Sequence, residues 1–266
     1  MPPIQTLLFF AVSFLASLAG TICGIGGGVI IKPVLDAFGW VSVSTISFLS
    51  GCTVLSMSCY SVSKSLLAGE KSVDVRTGTP LAIGAAVGGV VGKQMFTMIR
   101  DASPDPNMVG GVQAACLAII TLGTLFYTIH KAHIRTNRIT GLPVCLAIGL
   151  ILGMISSFLG IGGGPINLVV LGYCFSMDTK TAAANSLYII LFSQVTSLVS
   201  TLLTKTVPAF DVSTLIFMVL GGILGGMAGR AANKRLDNAA VDKLFVGLMA
   251  VIIGINVYNV WQYWVI

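Results

Sequence analysis

Long apolar runs alternate with short polar connections along the whole chain. Eight apolar blocks stand out, at 7–37, 43–62, 77–99, 108–129, 142–177, 181–203, 212–232 and 241–264. About 20 apolar residues suffice for a helix to cross the hydrocarbon core, and the blocks leave no stretch long enough for a soluble domain. The pattern predicts an all-α polytopic membrane protein. The first ten residues, MPPIQTLLFF, lack the basic start and small-residue cleavage pattern of a signal peptide, so the first block is read as structural.

Two blocks carry an interruption. GIGGG occurs at 24–28 and again at 160–164. A glycine inside a helix costs about 1 kcal/mol relative to alanine, so four in five positions should break the helix. The match extends beyond the motif. At a shift of 136, Thr45 falls on Thr181 and Ser50 on Ser186; at 137, Asp74 meets Asp211 and Lys93 meets Arg230. Two homologous halves are therefore expected, 1–130 and 139–266, joined by a basic cytoplasmic linker at 131–138. The third block of each half reads G-x-x-x-G-G-x-x-G, from Gly84 to Gly92 and from Gly221 to Gly229. Small residues at that spacing let two helix backbones approach in lipid, so these glycines are assigned to packing.

Block 7–37 has 31 residues, too long for one comfortable span and too short for two with a turn. Two half-helices meeting at the glycines would fit. Counting Lys and Arg tests this, since short cytoplasmic loops hold the excess. If all eight blocks cross, the basic residues divide seven against eight; if each GIGGG block enters and returns, they divide eleven against four. The second arrangement is preferred. It makes each half a glycine-broken, re-entrant helix plus three spans, with the halves inverted and both termini extracytoplasmic, a plan common among secondary transporters.

Non-helical backbone at membrane depth is tolerated where it is buried in protein or lines a cavity. Pro165 suits the first turn of a new helix, with Asn167 beside it, and Val29 opens the equivalent segment. Free N–H groups at Gly26, Gly27, Gly28, Gly162, Gly163 and Gly164 are then expected to receive an anion. Polar residues in the following blocks extend the candidate set: Thr45 and Ser50 in the first half, and Asn185, Ser186 and Gln194 in the second. Lys32 either attracts the anion or snorkels to the interface. Close helix crossing is the alternative role for the glycines, and backbone or interhelical bonds for the polar side chains.

Charge adds little else. Only 9% of residues are charged, against about 25% in soluble domains, and the net charge of +6 is scattered over connections, so no nucleic-acid partner is expected. Cys23, Cys52, Cys59, Cys116, Cys145 and Cys174 all lie in apolar blocks and are read as small buried hydrophobes. His130 and His133 fall in a basic loop, and no metal or cofactor is expected. Asp74 and Asp211 could serve coupling, but capping the third block explains them more simply. Gly92-Lys93 does not complete a phosphate-binding loop.

The duplicated G-x-G-G-G, the TAAANS stretch at 181–186 and the glycine-studded third helix ending in a basic residue resemble the sulfite exporter TauE/SafE family of membrane permeases. The resemblance implies a non-enzymatic carrier of a small sulfur-containing anion, such as sulfite or sulfoacetate, across the inner membrane, with the glycines, Ser50 and Ser186 at its site. It leaves the substrate, the direction and a coupling proton or sodium ion open. Two departures make the site asymmetric: Leu49 stands opposite Asn185, and Val29 opposite Pro165. A membrane assembly partner with no substrate of its own is the rival reading.

Overall fold

The computed structural model describes residues 3–70, 73–103, 106–160 and 163–265. Within them the chain is helical, with no strand. The elements are α1 (Pro3–Cys23), α2 (Gly28–Ala37), α3 (Val43–Leu67), α4 (Val75–Ala102), α5 (Pro106–His130), a 3-10 turn (Lys131–His133), α6 (Leu142–Leu159), α7 (Gly164–Phe175), α8 (Thr179–Leu203), α9 (Val212–Arg235) and α10 (Asn238–Val265). All but α2 and α7 are long and apolar enough to cross a membrane. Large apolar side chains such as Leu15, Ile119, Phe126, Leu203 and Val251 stand on the outside, where a bilayer rather than a protein core would cover them.

Glycine decides which helices touch. A methyl group on Gly84, Gly88 or Gly92 of α4 would lie 2.3, 2.0 or 2.2 Å from the carbonyl oxygens of Leu146, Leu150 and Met154 on α6. The same holds for Gly221, Gly225 and Gly229 of α9 against Phe10, Phe14 and Leu18 of α1. The packing role assigned to the two stripes is what the structure shows.

These registers also fix direction. Numbers rise together along α4 and α6, so the two helices are parallel, and so are α1 and α9. Helix α3 is parallel to α9, since Thr45 bonds Ala209 while Ser61 bonds Arg230. Helix α8 is parallel to α4, joined by Asn185 to Asp74 and by Thr201 to Lys93. Because α1 and α3 thus run the same way, the segment between them must return. Helix α2 makes that return, and α7 makes it between α6 and α8. The end of α7 accordingly meets the start of α6: Asn137 and Ile139 donate to the carbonyls of Tyr173 and Cys174 at 2.8 and 2.9 Å. By contrast α5 and α10 are antiparallel, with Gly110 against Tyr263 and Lys131 paired to Asp242.

Helices α1 and α10 therefore have their outer ends on one face, the termini face, and the 131–141 connection lies on the other, the linker face. The broken blocks differ from expectation in one respect. Their first segments are not half-helices: α1 has 21 residues and α6 has 18, each about a bilayer long, while α2 and α7 have 10 and 12. Helix α1 starts ahead of the block boundary, at Pro3.

Candidate functional site

The two glycine breaks meet. A methyl group on Gly164 would lie 2.1 Å from the Ile25 carbonyl oxygen and 2.9 Å from the Val29 side chain. Gly24 is equally crowded by the Ala183 backbone, at 2.2 Å. Gly24, Gly26, Gly160 and Gly163 all hold positive φ, which only glycine adopts without strain. Close approach and backbone turning thus account for several of these residues. Gly27 and Gly163 precede α2 and α7, and neither helix start has a side-chain cap. Gly162 lies outside the described residues.

From the termini face a cavity of about 540 Å³ descends to this junction. Gly28 and Gly160 are at its floor, and Ser50, Gln113, Ser157, Gln194, Lys93 and Ser197 are among its walls. Lys93 donates to Thr201 and to the Ser197 carbonyl, so its ammonium is held at the wall by neutral acceptors. Lys32 is only 5% exposed, and it neither reaches the interface nor lines the cavity. Its Nζ donates to Gln113 Oε1 and, at 3.0 Å, to the carbonyl of Leu159, the last residue of α6; Gln113 in turn donates to the Phe158 carbonyl at 2.7 Å. A positive charge is thus fixed behind Gly160, through a glutamine that lines the cavity.

Among the residues expected at the site, Gly28, Ser50 and Gln194 line this cavity. Gly26, Gly27, Gly163 and Gly164 stand at the two breaks, and the remaining expected polar side chains are placed elsewhere. Asn185 accepts from the Asp74 N–H at 3.0 Å and donates to the Thr181 carbonyl at 2.9 Å, so it caps α4 from α8. Thr45 is spent on Ser42 and the Ala209 carbonyl at the start of α3. Ser186 is buried with no partner for its hydroxyl, and Asn167 likewise leaves Oδ1 unbonded beside Gly163. Asp74 and Asp211 are caps: each carboxylate accepts from backbone and hydroxyl donors two and three residues on. Hydrogen bonds from Ser213 and Thr214 hold Asp211 well below the usual carboxylate range. The cysteines divide: Cys23 and Cys145 are buried, Cys59 is exposed on the lipid side, and Cys52 lines the cavity.

Lys93, Gln113, Ser157, Ser197 and Thr201 escaped the sequence reading. A signal was available, because a second cavity of about 370 Å³, at the linker face, is lined by Thr21, Ser61, Ser65 and Arg230. Thr21, Ser61 and Ser65 precede Ser157, Ser197 and Thr201 by 136 positions, and Lys93 precedes Arg230 by 137. Small hydroxyls recurring at the repeat shift marked both cavities.

Eight apolar spans, two broken helices touching at the centre and a polar cavity that ends on them define a multi-pass membrane transporter. The chain belongs to the sulfite exporter TauE/SafE family, whose model matches residues 9–257. It is also similar to the probable membrane transporter protein YunE of Bacillus subtilis (strain 168), 24% identical over 93% of this chain and 95% of that one. The family is one of transporters, not enzymes. No solved structure matches.

Proposed function

We propose that the protein is a secondary transporter that carries a small sulfur-containing anion, sulfite or an organosulfonate such as sulfoacetate, across the inner membrane. The substrate would bind where the termini-face cavity reaches the two broken helices. One observation carries the reading: the cavity joins the Lys93 ammonium to amide and hydroxyl donors, Gln113, Gln194, Ser50 and Ser157, above an uncapped helix start at Gly28. An oxyanion with three acceptor oxygens suits such a set, since several neutral donors and a single cation can share its charge without trapping it.

The halves 1–130 and 139–266 are read as inverted repeats. The pairing supports this: α1 on α9 answers α6 on α4, and α3 on α9 answers α8 on α4. The linker face holds Lys64, Arg76, Arg135, Arg138, Lys180, Arg235 and Lys243 as well as Lys131, which supports a cytoplasmic linker and extracytoplasmic termini. A coupling proton or sodium ion would complete the cycle.

Thermal unfolding of the purified protein with sulfite, thiosulfate, sulfate, sulfoacetate, taurine and acetate tests the reading, because a ligand of the folded state must stabilise it. Selective stabilisation by a sulfur oxyanion is expected. No shift from any of them would refute the assignment and favour an assembly partner without substrate.

A further inference from the structure

The linker-face cavity is more strongly charged than the one the substrate was assigned to. Arg230, Lys234 and Lys180 line it, against one carboxylate, Glu70. Arg230 and Lys234 both pair with Glu70 Oε1, at 2.7 and 2.9 Å, and Ser65 donates to Oε2 at 3.0 Å. Lys180 is occupied by the Leu236 carbonyl at 2.9 Å. Two further groups in the wall have no partner. The Thr21 and Ser61 hydroxyls are 5% and 4% exposed and unbonded. A buried hydroxyl left without a hydrogen bond costs about 1–3 kcal/mol, and two at one cavity need a reason.

From these residues we infer that the linker-face cavity is a second anion-binding station. It would take a sulfonate or sulfite group on Arg230 and Lys234, with Thr21 and Ser61 donating to its oxygens. Glu70 is the internal occupant. Its Oε1 holds both cations that an incoming anion needs, while Ser65 holds its Oε2, so substrate binds there by displacing the carboxylate. At the termini face the residue 136 positions after Glu70 is Thr206, which cannot compete in this way. The two ends of the path therefore differ: at the linker face the cations are latched by an acidic side chain, whereas at the termini face Lys93 is held by neutral acceptors and Asp36, the carboxylate in that wall, accepts from the Tyr263 hydroxyl. Arg230 and Lys234 would then set affinity at the linker end, as Lys93 does at the other.

This inference rests on the reading of the protein as an organosulfonate carrier, and the test separates the two. Ala184 lines the linker-face cavity and Cys52 the other. In the full-length A184C protein, N-ethylmaleimide labelling is followed at both positions by peptide mass spectrometry, with and without sodium sulfoacetate. Protection is expected at both sites. Arg230→Gln or Lys234→Gln should abolish it at position 184 and leave it at Cys52, which also reports that the variant is folded. Glu70→Gln should lower the half-protecting concentration at position 184 by about fivefold, the value of one freed ion pair. Protection at Cys52 alone, or protection at position 184 that survives both cation substitutions, would overturn the second station and leave the carrier reading intact. Protection at neither site would overturn the second station, and no thermal shift from any anion of the panel would overturn the carrier reading as well.

Discussion

Gly88→Ala adds one methyl group to α4, and the structure says how much room it lacks. The new Cβ would lie 2.0 Å from the Leu150 carbonyl oxygen, 2.8 Å from its carbon and 3.0 Å from Cα. All three are backbone atoms, so no side chain can turn away. Ordinary contact begins near 3.4 Å, which means α4 and α6 must part by more than 1 Å. Gly84 and Gly92 on α4, and Gly149 and Gly153 on α6, lose their close approach in the same movement. A gap of 0.5–1 Å already forfeits about a quarter to a half of each dispersion contact, and overpacking of this kind costs about 1–3 kcal/mol. Several glycines share one interface, which puts Gly88→Ala at the upper end. The better helix propensity of alanine offsets up to about 1 kcal/mol, leaving a net loss of about 2 kcal/mol.

Gly123→Ala is the matched control. It lies within α5 with nothing inside 4 Å of the new methyl group, so it retains the propensity gain and meets no clash. Unfolding of both variants in mixed detergent micelles, followed by tryptophan fluorescence, should separate them by about 3 kcal/mol. If Gly88→Ala unfolds no earlier than Gly123→Ala, the stripe is not a packing surface and the parallel pairing of α4 with α6 is wrong.

Four other outcomes follow from the same structure. Lys93→Gln should weaken stabilisation by sulfoacetate at least about tenfold, as expected for one charge-assisted bond, with little change in the unfolding temperature without ligand. Gln113→Leu removes an acceptor from the buried Lys32 ammonium and should destabilise by about 2–3 kcal/mol, whereas adding Lys32→Met should restore part of that, because the stranded charge goes too; thermal unfolding of both variants reads this. Asn185→Leu should cost about 1–2 kcal/mol by uncapping α4 and leave sulfoacetate affinity unchanged, as a titration in the same detergent would show. Burial opposes ionisation of Glu70, but Lys234, Ser65 and Arg230 together hold its carboxyl below the usual range. Its contribution is therefore present above the unfolded value of about 4.3 and is lost as the pH falls through the lower folded one. The stability gap between the natural protein and Glu70→Gln should accordingly close as the pH falls below the unfolded value.

The spans, the glycine stripes and the two breaks were legible because each is written in a local run: apolar length, G-x-x-x-G-G-x-x-G and GIGGG. The count of basic residues by connection pointed to the return that α2 and α7 make. What could not be read is which polar residue faces which helix. Asn185 and Thr45 look like site residues in an apolar run, yet each is spent on distant backbone: Asn185 accepts from the Asp74 N–H at the start of α4, and Thr45 donates to the Ala209 carbonyl in the connection before α9. Lys93 could be read only as the basic residue that ends the third helix, and its place in the cavity wall depends on α8 running parallel to α4. Thr21 and Ser157 resemble ordinary small residues of a packed helix until the two cavities are compared.

The asymmetry of the two breaks bears on where the charge of a substrate can rest. The first segment of each broken helix, α1 or α6, points its C-terminal carbonyls at the junction, and such an end repels an anion. At α1 the Ile22 carbonyl is covered by a neutral amide, Asn233 Nδ2, at 2.6 Å. At α6 the Leu159 carbonyl is covered by the Lys32 ammonium instead. The position equivalent to Lys32 in the second half is Leu168, so the repeat supplies an apolar side chain where a matching cation would stand, and Gly24 packs on Ala183. Lys32 thus reverses the sign of the α6 terminus, and only the Gly160 side of the junction is made hospitable to negative charge. The anion should therefore sit off the centre, against Gly160 and Gln113, at the floor of the termini-face cavity. On the proposed path, movement toward the linker face would take the anion past the α1 terminus, which Asn233 covers without a charge, before it reached Arg230, and the Lys32 side would be its resting place.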